Sequence, residues 1–160
     1  MGIDKNSSIF YSRDKKVNIF EYVEKRMVED RTLEFYIAVD SKRRGRKTTY
    51  VLTVVLYSPT MKKGAEVWFQ KSVEKTPPDL FTRLWKEAEI IMDWSPVFYK
   101  RLRHVIGTSD NMNVHIDFNP NPKWRSYKVY KAALPWVKST GFNVVAKPDS
   151  WACRAADHLA

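Results

Sequence analysis

Cysteine is nearly absent from this sequence. Cys153 stands alone, so there is no internal disulfide and no CxxC-type zinc site. A reduced, cytoplasmic setting is the expectation. Long apolar runs are missing too: none approaches the ~18 residues that a membrane-spanning helix needs, so no membrane partner is expected. The opening MGIDKNSSIF lacks the charged start, apolar core and cleavage motif of a secretory signal. No internal repeat or low-complexity tract interrupts the 160 residues, and they are read as one domain, 1–160, with an N-terminal arm and helix over 1–30.

Acidic residues are scarce relative to basic ones. Eighteen Asp and Glu face 28 Lys and Arg, for a net charge of +10. A surplus of that size favours encounter with polyanions, of which nucleic acid is the commonest. Charge alone also suits ribosome association, anionic lipid or simple solubility. The 44% hydrophobic and 14% aromatic content is ample for a core without disulfides or a structural metal.

The apolar pattern predicts the elements. Val17, Phe20, Val23 and Met27 recur at helical spacing, giving an amphipathic helix over about 16–30. Alternation over 33–40 gives a strand with Leu33, Phe35, Ile37 and Val39 on one face and Tyr36, Ala38 and Asp40 on the other. A basic turn, 41–47, leads to a β-branched strand over 48–57 and then to a third over 66–71. These three form an antiparallel meander. Residues 79–105 are helical, with Leu80, Leu84, Glu87, Ile91 and Trp94 on one stripe. Pro96 is expected to end or kink that helix near Trp94, leaving a second piece over 97–105. A strand over 113–118, a helix over 124–138 bent near Pro135, a strand over 142–146 and a helix over 150–159 complete the chain. The order α-β-β-β-α-β-α-β-α implies an α/β fold: a mixed five-stranded sheet, antiparallel on one side and parallel on the other, flanked by helices.

In that fold the first and fourth strands end in carboxylates, Asp40 and Asp117. If these strands are parallel neighbours, both acids emerge at the C-terminal edge, where open α/β sheets bind ligands. Adjacent carboxylates repel unless a cation holds them. Mg²⁺ or Mn²⁺ would resolve that repulsion, and a pair of such ions ~4 Å apart would activate water and stabilise the leaving oxygen of a phosphodiester. Either Asp alone is better explained as a turn former, and it is the pair, placed by topology, that reverses this preference.

The strings Phe10-Tyr11-Ser12, Ile37-Ala38-Val39-Asp40-Ser41, Val114-His115-Ile116-Asp117, Gly141-Phe142, Lys147-Pro148-Asp149-Ser150 and Ala156-Asp157 occur in an order that resembles the YkuK-like family of predicted ribonuclease H-like nucleases. The resemblance implies a metal-dependent nuclease whose acids fall on Asp40, Asp117, a helical glutamate and a final-helix aspartate. For the glutamate it points to Glu89, with Glu87 the competitor on another helix face. For the last acid it points to Asp157, with Asp149 the alternative and more naturally an N-cap. The loop Asn119-Pro120-Asn121-Pro122-Lys123-Trp124 is bulkier than the family's short Gly-containing loop.

His115 projects to the same strand face as Asp117, either as a ligand or proton shuttle or as a satisfied structural residue. His158, beside Asp157, is read as helix-end solvation rather than a proton shuttle. Lys42, Arg43, Arg44, Arg46 and Lys47 are the sharpest nucleic-acid-binding candidates, against the alternative of a solvated hairpin tip. Lys62-Lys63 and Lys123-Arg125 would extend the patch, and Trp124 would stack on a base. The other tryptophans are expected in the core. The expected activity is phosphodiester hydrolysis in RNA, DNA or a hybrid. Its rivals are a non-catalytic nucleic-acid-binding module and a protein-interaction domain on the same scaffold.

Overall fold

The computed structural model describes residues 7–159, apart from the side chains of Asp157 and His158. Its strands are β1 (Ile9–Ser12), β2 (Lys15–Asn18), β3 (Glu34–Arg44), β4 (Lys47–Tyr57), β5 (Glu66–Lys75), β6 (Met112–His115) and β7 (Asn143–Val145). They form one mixed sheet in the order β2-β1-β5-β4-β3-β6-β7. The helices are α1 (Ile19–Glu29), α2 (Leu80–Ile106), α3 (Tyr127–Lys138) and α4 (Ala152–Leu159). No helix among the described residues is long and apolar enough to cross a membrane.

The sheet has seven strands rather than five. The meander β3–β4–β5 and the parallel additions β6 and β7 are as expected. The extra pair is the hairpin β1–β2, which pairs Phe10 with Val17 and joins β5 through Tyr11 and Phe69. Val17 therefore belongs to a strand. Helix α1 starts later than expected because Asn18 caps it: its Oδ1 accepts from the N–H groups of Phe20 and Glu21 at 3.1 and 3.2 Å.

Strand alternation decides which helix covers which face. Phe35, Ile37 and Val39 of β3, with Leu52, Val54 and Leu56 of β4, pack into the main core with α1, α2 and α3. On the other face Tyr36, Ala38 and Val55 pack against Ala152 and Cys153 of α4.

Helix α2 runs unbroken through Pro96. A proline there forfeits one backbone hydrogen bond and crowds the preceding turn, a cost of about 3 kcal/mol. Pro96 is exposed, while Trp94 and Phe98 on either side are buried and clustered with Phe10. That aromatic packing offsets the loss, and the helix continues to Ile106. Helix α3 likewise continues through Pro135 to Lys138.

Candidate active site

The parallel ladder between β3 and β6 ends where Ala38 meets His115. Asp40 and Asp117 each lie two residues further on, so the two acids leave neighbouring parallel strands at equivalent places, on the same face. Strand β3 does not stop at Asp40, however; it continues to Arg44 paired with β4. Asp40 is thus held within a strand. It is buried, and its Oδ1 accepts the Ser41 N–H at 2.9 Å. Asp117 is partly exposed, with Lys147 Nζ at 3.1 Å from its Oδ1. Both aspartates line a cleft of about 380 Å³ together with Lys147, Ser150, Cys153 and Arg154. A larger cavity of about 690 Å³ opens at the opposite edge, beside Phe35 and Asn113, and contains none of the expected acids.

The glutamate that joins this pair is Glu87. It lies on α2, is 2% exposed, and accepts a short hydrogen bond from Ser41 Oγ through Oε2. Its Oε1 is buried without a hydrogen-bond partner. Burial first, and then the charge of Asp40, hold its carboxyl well above the usual carboxylate range. Asp117 adds to the same shift, and the Ser41 hydrogen bond opposes it.

Glu89 is a correction: it is exposed. Two helical residues turn the side chain by roughly 200°, so Glu87 and Glu89 cannot serve the same site. The signal was present in the sequence, because Glu87 stands in the apolar stripe of α2 among Leu84, Ile91 and Trp94.

Asp157 lies on α4, but its side chain and that of His158 fall outside the described residues. Asp149 is exposed. The group that receives the first N–H of α4 is His115, whose Nδ1 accepts from Ala152 at 3.1 Å. His115 is buried against Tyr36 and Trp151, and burial pushes its pKa down to about 4. It is a neutral, satisfied imidazole that anchors α4. Cys153 sits in the same cleft; burial and the charges of Asp117, Asp40 and Glu87 push its thiol up, so it stays protonated.

The basic segment is two strand ends and a two-residue turn. Lys42, Arg43 and Arg44 end β3, Gly45 (φ +63°) and Arg46 make the turn, and Lys47 begins β4. All five cations are exposed. Lys62 and Lys63 cannot extend this patch, because they lie in the turn beyond the far end of the 11-residue β4, ~33 Å away at strand rise. Lys123, Trp124 and Arg125 are exposed on the loop after β6, and Lys123 Nζ lies 5.9 Å from the Trp124 ring. Of the remaining tryptophans, Trp68 and Trp94 are buried. Trp85 and Trp136 instead stack at 5.2 Å, with Trp136 at the surface.

Asp40, Glu87 and Asp117 offer only hard oxygen donors, the set that Mg²⁺ or Mn²⁺ prefers. The partnerless Glu87 Oε1 fits a cation in its vicinity. Against this, no group of three or more His, Cys, Asp or Glu among the described residues is arranged as a metal site, and Lys147 occupies Asp117.

Residues 17–160 match the family model described as Ribonuclease H-like. No curated protein and no solved structure matches the chain.

Proposed function

Because this chain belongs to the ribonuclease H-like family, we propose that it hydrolyses phosphodiester bonds in nucleic acid, with Mg²⁺ or Mn²⁺ held by Asp40, Glu87 and Asp117. The observation that carries this reading is the buried Glu87 with an unpartnered oxygen, near enough to Asp40 and Asp117 for their charges to raise its pKa. When bound, such an ion activates the attacking water and stabilises charge at the phosphate. The protein's own residues prepare the site. Ser41 fixes the Glu87 carboxylate from one side of β3, while the Ser41 backbone N–H fixes Asp40 from the other. Lys147 and Arg154 bring positive charge to the cleft where a phosphodiester would lie. Asp157, the acid that the family resemblance assigns to the last helix, is the fourth acid of this proposal.

Asp40→Asn, Glu87→Gln and Asp117→Asn should each lower cleavage of RNA, DNA or hybrid by about 10²-fold or more, whereas Glu89→Gln should stay within about twofold. Activity that survives EDTA, or Glu87→Gln at the wild-type rate, would overturn the proposal.

The Lys147–Asp117 ion pair favours a second reading, a nucleic-acid-binding module without turnover, in which lysine replaces the cation. Calorimetric titration with Mn²⁺ separates the two. Binding that is lost in Glu87→Gln supports the nuclease, and no binding to the wild type supports the module.

A further inference from the structure

We propose that the nucleic-acid backbone lies on the α4-side face of β3, β4 and β5 beyond Asp40, held there by Lys42, Arg44, Lys47, Lys71 and Lys75. This rests on nucleic acid being the partner but not on catalysis. Strand register carries the argument. Asp40, Val51 and Lys71 form one cross-strand row; Lys42, Thr49 and Val73 form the next; Arg44, Lys47 and Lys75 form the last. Residues directly opposite on neighbouring strands share a face, so these rows continue from Asp40 on its own side of the sheet.

Helix α4 covers only the start of this face. Its Ala156 packs on Val51, and Leu159 reaches Phe69. Lys71, at the margin of the helix, and the four cations beyond it are exposed, and Val73 is 61% exposed. None of the five makes an ion pair among the described residues. Glu74, the nearest acid on β5, faces the other way and pairs with Lys86. The last row places three cations side by side across three strands. Like charges directly opposite destabilise a sheet, and a polyanion laid across the row relieves that repulsion. The face is open, carries five exposed cations, and leads to a carboxylate of the cleft, an arrangement that suits a phosphate backbone.

Arg43 supplies an internal control. It sits between Lys42 and Arg44 in sequence but pairs with Thr48 on the opposite face, its Nε donating to the Gly45 carbonyl at 3.0 Å. Binding of fluorescent single-stranded and duplex oligonucleotides is measured in EDTA, so neither metal nor cleavage enters. The double variant Lys71→Gln, Lys75→Gln should lose affinity by about tenfold per lost contact near 0.1 M salt. Its slope of log affinity against log salt should flatten by about 0.9 per contact on duplex DNA, or about 0.7 on single strands. Arg43→Gln should stay within about twofold. Circular dichroism checks that the surface variants fold.

Unchanged binding by the double variant, with loss instead in Lys123→Gln, Arg125→Gln, would overturn the assignment and move the backbone to that loop. Wild-type binding to phosphatidylserine vesicles but not to oligonucleotides would overturn it as well. An inactive Glu87→Gln with a normally binding double variant defeats the face alone. A weakened double variant in a protein that never cleaves defeats the catalytic reading alone.

Discussion

Glu87 is in an unfavourable position for an ordinary acid. It is buried beside Asp40, and one oxygen has no partner. Its raised pKa means that the folded state holds a proton which the unfolded chain releases. That contribution to stability is full below the usual carboxylate pKa and is lost as pH rises through the folded value. At neutral pH the metal-free protein therefore bears the cost of this residue. Glu87→Gln keeps the shape and the Ser41 contact but removes the titration. The variant should be more stable than the wild type in EDTA at pH 7–8, by about 1–3 kcal/mol, with the gap closing toward pH 4. Mn²⁺ should raise the melting temperature of the wild type and leave that of the variant unmoved. Thermal melts across pH, with and without Mn²⁺, check both halves. A less stable variant at pH 8 would mean that the carboxylate is already compensated inside the protein.

Among the elements, α1 is tied to the sheet by one polar cluster. Arg26 approaches Glu66 of β5 at 2.8 Å, and Tyr22 donates to the same carboxylate. Burial alone would lift the Glu66 pKa, but the hydrogen bonds from Arg26 and Tyr22 outweigh it and the net shift is downward. Stability from a lowered carboxylate is present above its unfolded pKa and disappears as pH falls through the folded one. Glu66→Gln should therefore cost about 1 kcal/mol at pH 7, discounted for partial exposure, and nothing near pH 3. Thermal melts at the two pH values check this, and an equal cost at both would place the effect in packing. Elements that bury a clean periodic face were legible in the sequence: β3, β4, α2 and the order that sets Asp40 beside Asp117. The hairpin β1–β2 was not, because its four-residue strands carry few apolar positions and Val17 happens to fit a helical spacing. Glu87 was legible as a charge within an apolar stripe, yet resemblance favoured Glu89, which periodicity places on the solvent side. Pro96 does not end α2: sequence shows the lost hydrogen bond and not the Trp94–Phe98 packing that outweighs it.

Over the whole molecule the net charge of +10 is unevenly spread. Asp40 and Asp117 line the cleft, while Lys42, Arg44, Lys47, Lys71 and Lys75 crowd one open face whose two outer strand rows contain no acid. Two consequences with opposite salt dependence follow from that one arrangement. Polyanion binding weakens with salt, because each counterion released into a more concentrated solution gains less entropy. Folding should strengthen with salt, because screening reduces the repulsion that the compact state suffers. The Debye length shrinks to about 10 Å at 0.1 M, still longer than the ~5 Å between neighbouring strands, so relief of the nearest pairs is partial. Each like-charged cross-strand pair costs about 0.2–1 kcal/mol, and 1 kcal/mol moves the melting temperature of a domain this size by roughly 2–4 °C. Raising NaCl from ~20 to ~200 mM should thus lift the melting temperature by a few degrees. In the Lys71→Gln, Lys75→Gln protein the low-salt value should start higher and the rise should be smaller, since the row of three cations has become a row of two. A wild-type melting temperature that falls with salt would show that ion pairs such as Arg26–Glu66, rather than repulsion on the cationic face, dominate the electrostatics of the fold.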